Sequence, residues 1–355
     1  MFDTSKDNEK RMPSNDPDTN LEWALKTGFT PTSEQEKGGV TDQDKLMRIA
    51  QARRTDFTPT PQQVKRGLND KSWEVRLSWA KRTDYPLTQK IIERGLCDAN
   101  EDVRISWAHR MDWTPTPEQI ERGLTDDDWR VRMAWASRSD YTPTPEQVTR
   151  GLTDKSDFVR MSWSIRQDYT PSASHVEIGL NNAFEDVRNA WAKRMDFTPT
   201  PEQIERGLHD VEIQVKRSWI KRMDWTPTPE QIEAGLTDEE AWTKCDWAQR
   251  MDYTPTPAQI ERGLTDDNWV VRETWVKRTD FTPTPEQVAR GSQEKHIEVL
   301  NAWLQRDDIH WTQEQIQRGL QHHDKNIRKA WEQFLARCRA EDEESQDMIS
   351  TCISI

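Results

Sequence analysis

The sequence contains no apolar run that approaches the ~20 residues of a membrane-spanning helix. Its N-terminal segment also has no apolar stretch of the kind found in secretory signal peptides. Cysteine is scarce, because only Cys97, Cys245, Cys338 and Cys352 occur, far apart and without a C-x-x-C pair. This spacing argues against a disulfide framework and against a structural zinc site. We therefore expect a soluble, cytoplasmic protein.

Motifs of catalytic and cofactor sites are missing as well. The chain has no G-x-G-x-x-G or G-x-x-x-x-G-K-[ST] loop, no G-x-S-x-G and no H-E-x-x-H. His322–Asp324 reads His-His-Asp, but no fourth ligand at turn or helical spacing accompanies it. Ser174, His175 and Cys245 are isolated substitutions rather than a constellation. We predict no catalytic residue, no cofactor and no bound metal, and hence no enzyme.

Basic residues are outnumbered by acidic ones, 50 to 63, which gives a formal net charge of −13. Such an excess disfavours wrapping by nucleic acid or docking on an anionic membrane, because both require positive surface. Apolar residues make up only 33% of the chain, about as much as the 32% that are charged, which is little for a packed core. The 18 tryptophans nevertheless indicate a folded protein.

A 28-residue repeat fills most of the chain. Each copy starts with Asp, usually followed by an aromatic residue, Thr and Pro; the starts are Asp56, Asp84, Asp112, Asp140, Asp168, Asp196, Asp224, Asp252, Asp280 and Asp308. A degenerate copy starts at Gly28, so eleven full copies span roughly residues 28–335, and Leu21–Thr27 resembles the end of an earlier one. We predict a disordered segment 1–20, a repeat domain 21–335 and an acidic, disordered tail 336–355.

Local signals predict two short helices in each copy. In "DWTPTPEQIERGLTDDDWRVRMAWASRS", Thr116 can cap the first helix, Pro117 suits its first position, and Gln119 completes a capping box. Gly123 recurs at the same offset in every copy. Its position predicts the left-handed residue that follows a helix end, so we expect a first helix of about two turns.

The second helix is predicted to be capped by Asp126 and to run to about Arg138. Val131, Trp135 and Ser139 are four residues apart and so share one face, which we assign to the core. The last of these positions is methionine at Met111, Met195, Met223 and Met251. The tryptophan recurs at Trp23, Trp79, Trp107, Trp135, Trp163, Trp191, Trp219, Trp247, Trp275, Trp303 and Trp331. We interpret this column as the core of a stack of copies; the alternative is an exposed aromatic ladder that stacks ligands.

The run Asp126, Val131, Arg132, followed by small residues, resembles the second helix of HEAT repeats, whereas "TPTPEQ" and the short first helix resemble the leucine-rich variant repeats. The resemblance implies an all-α fold, an α-solenoid of about eleven two-helix repeats. It also implies that Asp and Arg form a ladder between neighbouring repeats. The ladder is interrupted at Lys216, Lys244 and Leu300; lysine keeps the charge but loses the bidentate fork.

Two further arginine columns accompany the ladder. Arg138 and Arg122, with their equivalents, are expected at the C-terminal ends of the second and first helices, where a cation complements the helix dipole. The alternative is a phosphate-binding stripe, which the interleaved Asp and Glu residues argue against.

The residue two positions after the recurring valine, Met133 after Val131 in the quoted copy, changes in character along the chain. It is Leu77, Ile105, Met133 and Met161 in four successive copies and mostly polar afterwards. We predict that these residues, with Phe158, Ile165, Trp73 and Trp129, form an apolar stripe that binds a partner helix. Scattered surface hydrophobes, or a different rotation of the helix, are the alternatives.

The function predicted from these features is that of a non-catalytic, monomeric protein-binding scaffold with an elongated concave surface. The resemblance places the second helices on that surface. A protein partner is expected, whereas nucleic acid and membrane are not. The alternatives are a nucleic-acid-binding helical repeat protein, or an acidic mimic of nucleic acid that inhibits a DNA-binding protein.

Overall fold

The computed structural model of the chain describes residues 42–353, with side chains for residues 45–339. Within these residues the protein is all-α and contains 21 helices. The first helices of the repeats are Pro61–Leu68, Gln89–Leu96, Pro117–Leu124, Pro145–Leu152, Ala173–Leu180, Pro201–Leu208, Pro229–Leu236, Pro257–Leu264, Pro285–Gly291 and Gln313–Leu320. The second helices are Asp42–Arg53, Trp73–Ala80, Glu101–Ala108, Trp129–Ala136, Asp157–Ser164, Glu185–Ala192, Ile213–Ile220, Ala241–Gln249, Trp269–Val276, Ile297–Leu304 and Lys325–Ile353.

The described part of the chain divides into two compact units, the first ending at Trp191 and the second beginning at Ala192. Inside each unit, second helices pack against the second helices of the neighbouring copies and against the first helix of their own copy. This arrangement confirms the predicted α-solenoid of two-helix repeats. The predicted segment 1–20, the copy starting at Gly28 up to residue 41, and Trp23 lie outside the described residues.

The first helix begins as predicted. The Thr116 backbone N–H donates to Gln119 Oε1 (2.9 Å), and the Gln119 backbone N–H donates to Thr116 Oγ1 (3.3 Å), which completes the capping box. Pro117 occupies the first helical position, where no backbone donor is required. In the unusual copy, Ser172 and His175 form the same box, with the imidazole Nδ1 accepting from the Ser172 N–H.

The glycine near the end of the first helix serves a different purpose from the one predicted. Gly123 lies inside the helix Pro117–Leu124 and is not left-handed, so the expected glycine cap is wrong. The indole of Trp135 packs directly on it: a Cβ at position 123 would lie 2.2 Å from Trp135 Nε1. The glycine therefore lets the tryptophan approach the backbone, and the same contact recurs in the other described copies.

The second helix is shorter than predicted. It is capped by Asp128, which accepts from the Arg130 N–H at 2.8 Å, and it ends at Ala136. Asp126, two residues before this cap, instead accepts from the Asp128 N–H. Position 139 therefore lies beyond the helix, and Met111 is 56% exposed, as are Met195, Met223 and Met251 to similar extents. Assigning this methionine position to the core face was wrong, because the helix ends before reaching it.

The tryptophan column is the core, as predicted. Trp135 is only 1% exposed, and all described members of the column are buried. The aromatic residue at the start of the copy packs on it edge-on, with the Trp113 and Trp135 ring centroids 6.1 Å apart at 74°. For the described copies this excludes the alternative of an exposed ladder of these tryptophans. The stack is stabilised by the large aromatic area that each copy buries.

The arginine after each second helix bonds two copies together, and the helix C-terminus that it contacts is that of the preceding copy. Arg138 is buried, and its Nη1 donates to the carbonyl oxygens of Ala108 and Arg110 in the preceding copy, both at 2.7 Å. Its Nε and Nη2 hold the Asp140 carboxylate at 2.9 and 2.5 Å. The guanidinium also lies 4.7 Å from the Trp113 ring centroid, within cation–π range. Equivalent contacts are made by Arg82, Arg110, Arg166, Arg222, Arg250, Arg278 and Arg306.

The predicted Asp–Arg ladder is present. Arg132 binds the Asp154 carboxylate of the next copy with Nε (2.7 Å) and Nη2 (2.8 Å). Lys216 and Lys244 keep a single bond to the equivalent aspartates, as the loss of the fork predicts. Leu300 is completely buried in an apolar cluster with Leu304, Ile327, Ala330 and Trp331, so an apolar contact replaces the ion pair at that junction.

The last helix passes the predicted boundary at residue 335 without a break. The Phe334 ring packs edge-on against Trp331 and Trp311, and Arg337 donates to the Leu304 carbonyl oxygen. The packed end of the array thus extends at least to Arg337. The boundary at residue 335 and the disorder of residues 336–355 stay predictions.

Candidate functional site

The predicted stripe lies on the outer side of four successive second helices in the first unit. Leu77, Ile105, Met133 and Met161 are all half-buried, each in the middle of its helix. They are therefore neither core residues nor free surface residues. Phe158 is 58% exposed and Ile165 is 57% exposed. Trp73 and Trp129 stand at the first positions of their helices, also with substantial exposure.

The structure brings some members of the stripe together. Leu77 and Ile105 line one cleft of about 820 Å³, which also contains Met111. Leu77 and Trp73 line a second cleft of about 620 Å³, formed with the end of the helix Asp42–Arg53. The two clefts share Leu77, Lys81 and Thr83, so they adjoin. We call them the paired clefts; their volumes fall in the range of ligand-binding sites.

The other half of the stripe forms a separate aromatic surface. The rings of Trp129 and Phe158 stack with centroids 5.0 Å apart and an interplanar angle of 24°. This pair joins the first turns of two successive second helices, one repeat apart. Met133 and Met161 lie one turn further along the same helices. The contact between Trp129 and Phe158 thus connects two of the residues that the sequence assigns to the stripe.

In the paired clefts the acidic side chains have ion-pair partners, but two of the basic side chains do not have one among the described residues. Each acidic side chain that lines them has an ion-pair partner: Glu74 with Lys45, Asp84 with Arg82, Asp102 with Arg130, and Asp112 with Arg110. Arg53 and Lys81 also line the clefts and are exposed, but neither has an acidic partner among the side chains that the structure describes. The clefts therefore carry positive charge within an acidic protein.

His109 also lines the larger cleft. Its pKa is lowered by partial desolvation of the ring and by the nearby Arg138 guanidinium. The imidazole is consequently neutral at pH 7. One of its ring nitrogens can then donate a hydrogen bond, and the other can accept one. It adds a polar group, not a charge, to the clefts.

The histidine and cysteine residues that the sequence analysis considered for catalysis or metal binding have contacts that belong to the fold. His175 Nε2 lies 2.9 Å from Thr149 Oγ1, and its Nδ1 belongs to the capping box. Cys245 is buried, and burial raises the pKa of its thiol. The His322 and His323 ring centroids are 4.2 Å apart, but no group of three or more metal-binding side chains occurs among the described residues. No helix in the described part of the chain is both long and apolar enough to span a membrane.

Sequence reasoning missed three residues of the clefts: Arg53, Lys81 and Met111. The signal was present, because the residue that directly follows the second helix, or ends it, is Arg53, Lys81 or His109 in the first three described copies. The helix pattern predicts a second helix that extends to position 138 and places position 139 in the core, which hides this signal. A correctly placed helix end exposes both positions.

No known protein family matches the chain, and no curated protein sequence does. A solved structure described as a leucine-rich repeat variant with a novel repetitive protein structural motif is similar to it. The two are 18% identical, the similarity covers 68% of this chain and 89% of that one, and the TM-score is 0.44. By its own regular pairs of helices, this chain is a helical repeat protein.

Proposed function

We propose that the protein is a non-catalytic binding scaffold, and that the second helices of its first unit bind a protein partner. The observation that carries this proposal is the paired clefts, in which Trp73, Leu77 and Ile105 present apolar surface on adjoining helices. Stacked aromatic surface at Trp129 and Phe158 extends it. Partly exposed aromatic and aliphatic side chains in concave sites are the usual anchors of protein interfaces.

The rival of nucleic-acid binding is supported less well. The arginine columns that could have formed a phosphate stripe are engaged with other groups of the array: Arg138 is buried, Arg132 binds Asp154, and Arg122 forms a surface ion pair with Glu93. A net charge of −13 opposes phosphate binding as well. The mimic of nucleic acid has one feature in its favour, because Glu118, Glu146 and Glu202 recur at the same position of their first helices and are exposed.

The test is purification of the tagged full-length chain from its native cell, comparing the wild type with the double variant Leu77→Ser, Ile105→Ser. We expect one discrete protein partner with the wild type and its loss with the variant. The matched control is Glu273→Ser, Asn301→Ser, at the same helical positions in the second unit; it should retain the partner. Circular dichroism must show that both variants remain helical.

Three outcomes would contradict the proposal. Nucleic acid that elutes with salt would support the nucleic-acid rival. A DNA-binding protein as sole partner, displaced by DNA, would support mimicry. Equal partner recovery with the wild type and with the folded Leu77→Ser, Ile105→Ser variant would place the contact elsewhere.

A further inference from the structure

We propose that the paired clefts recognise an acidic peptide segment of the partner, with apolar side chains on Leu77 and Ile105 and a carboxylate near Arg53 and Lys81. This inference rests on the proposed function and specifies the chemistry of the bound segment. It follows from the charge balance of the clefts and from the placement of their apolar residues.

The charge balance comes first. All four acidic side chains that line the clefts are held by cations of the array, so they do not offset Arg53 and Lys81. A cation at the rim of an apolar cleft that has no internal partner is available to a carboxylate of a ligand. A basic segment, in contrast, would meet two like charges there. An acidic protein that binds an acidic peptide needs such a local exception to its overall charge.

The second unit provides the contrast. There the lysines after the second helices are mostly occupied, since Lys221 lies 3.4 Å from Asp246 and Lys277 lies 2.6 Å from Glu273. The mid-helix position is also polar, with Arg217 bound to Asp246. Apolar anchors together with cations that have no described ion-pair partner are therefore found at the paired clefts and not at these repeats of the second unit.

The repeat geometry sets the spacing of the anchors. Packed helices lie about 8–10 Å apart, and Leu77 and Ile105 occupy the same position on neighbouring helices. Two anchors at that separation are about three residues apart in an extended peptide, at ~3.3 Å per residue. In a helical peptide they are about six or seven residues apart, at ~1.5 Å per residue. Bound sequences should show one of these two spacings.

The experiment is selection of a phage-displayed library of random 16-residue peptides on the full-length chain, followed by titration of synthetic copies of the enriched peptides. We expect enriched peptides with two apolar residues at one of the spacings and at least one Asp or Glu beside them. The variant Arg53→Glu, Lys81→Glu should weaken their binding at least ~10-fold, and more at low than at high salt. Because both side chains are exposed and have no described ion-pair partner, the variant should fold normally.

The matched control is Lys193→Glu, an exposed lysine at the equivalent position in the second unit, which should leave binding unchanged. Exchanging the peptide carboxylate for lysine should abolish binding to the wild type and restore it to the Arg53→Glu, Lys81→Glu variant. Such a charge swap would locate the contact, because a variant that merely misfolded could not regain binding.

The inference is overturned if no peptide is enriched, if the enriched peptides lack acidic residues, or if the charge-reversal variant binds them as the wild type does. These failures are distinct from failure of the proposed function. If Leu77→Ser, Ile105→Ser abolishes binding while charge reversal does not, the clefts are a binding site for a segment of different chemistry. If no peptide is enriched, purification of the full partner still tests the scaffold proposal.

Discussion

Leu77 and Ile105 occupy, in the first unit, the helical position that Arg217 and Glu273 occupy in the second. In the second unit these side chains form ion pairs with neighbouring residues: Arg217 binds Asp246, and Glu273 binds Lys277. In the first unit they line clefts. Both units bury the same tryptophan and arginine columns, so a repeat can change its outer surface without changing the contacts that hold the stack together.

The ladder between copies differs in a related way. In the first unit Arg76, Arg104 and Arg132 each grip a carboxylate of the next copy with two nitrogens. In the second unit Lys216 and Lys244 make one bond each. A forked guanidinium fixes orientation as well as distance. The difference does not extend to every copy, since Arg272 in the second unit also forms a forked pair, with Glu294, and Arg160 in the first unit reaches the Asn182 side chain of the next copy instead of a carboxylate there. The copies that carry the paired clefts are joined by the forked pairs of Arg76 and Arg104.

The largest effect is expected from the arginine shared by both units. Arg138→Ala and Arg250→Ala should each lower the free energy of unfolding by about 3 kcal/mol, because each leaves buried carbonyls and a carboxylate without their donor. Urea unfolding of the full chain, with hydrogen exchange of peptides from each unit, would measure the loss. Arg130→Ala, which removes only half-exposed surface pairs, is the control and should cost less than about 1 kcal/mol. A loss confined to one unit's variant would show that the cores are not equivalent.

The next effect concerns the glycine beneath each tryptophan. Gly123→Ala and Gly235→Ala should each cost about 2 kcal/mol, since the added methyl group would overlap the Trp135 or Trp247 ring. Gly291→Ala should cost less, because its methyl group would lie 2.7 Å from the nearest Trp303 atom rather than near 2.2 Å. Thermal unfolding followed by tryptophan fluorescence would rank the three. A stabilising Gly123→Ala would indicate that the indole can shift freely.

Asp98 and Asp238 should respond differently to neutralisation. The Asp98 side chain is 1% exposed and that of Asp238 is 20% exposed. At pH 7 we expect Asp98→Asn to cost about 2 kcal/mol and Asp238→Asn less than about 1 kcal/mol, because a buried pair loses more when one charge is removed. Chemical unfolding of both variants beside the wild type would measure the difference. Equal losses would contradict the expected difference between the buried pair of Asp98 and the partly exposed pair of Asp238.

The Asp98 effect should also depend on pH. Burial raises the pKa of Asp98, but the Arg76 guanidinium and the Asn100 N–H outweigh it and hold the pKa below its usual value. A depressed folded-state pKa stabilises the protein above the unfolded-state value of about 4, and this contribution is lost as the pH falls through the folded-state value. The difference between wild type and Asp98→Asn should therefore shrink below about pH 4. A difference that stays constant down to pH 2 would contradict the assignment.

The smallest expected effect is an exchange of ladder residues between the units. Lys216→Arg should raise the free energy of unfolding by about 0.5 kcal/mol by restoring a forked pair with Asp238. Arg104→Lys should lower it by about 1 kcal/mol, because the bonds to Asp126 and to the carbonyl oxygens of Asp98 and Ala99 cannot all be kept. Differential scanning calorimetry would resolve the shifts. If both exchanges were neutral, the fork would contribute nothing to the difference between the units.

Much of the fold was predictable because its signals are local and recur. The capping box of Thr116 and Gln119 needs only a spacing of three, and the tryptophan column needs only the 28-residue period. The ladder of Arg132 was predictable through the resemblance to HEAT repeats. Each of these features depends on residues of one copy or of its neighbour, and periodicity makes the neighbour visible.

The wrong predictions concern residues whose type suits more than one structural role. Glycine near a helix end can serve a left-handed cap or a close contact, and only the position of Trp135, twelve residues later, decides between them at Gly123. The end of the second helix carries no glycine or proline, so its early stop at Ala136 was not evident, and the methionines beyond it were misplaced. For the candidate site, the stripe could be predicted from the helical spacing. The clefts could not, since they depend on which charges pair across copies.

The arginine after each second helix also restricts how this chain can change in length during evolution. Insertions are usually absorbed by loops, but both connections in a copy are engaged here. Arg132 holds the carbonyl oxygens of Asp126 and Asp127, and Arg138 holds a carbonyl 28 residues behind it and a carboxylate two residues ahead. A one-residue insertion would move the carbonyl oxygen or the carboxylate away from the guanidinium that binds both. Removal of a whole copy instead leaves every guanidinium with equivalent partners in the neighbouring copies. Gene rearrangement in steps of 28 codons is thus the change in length that this architecture accepts.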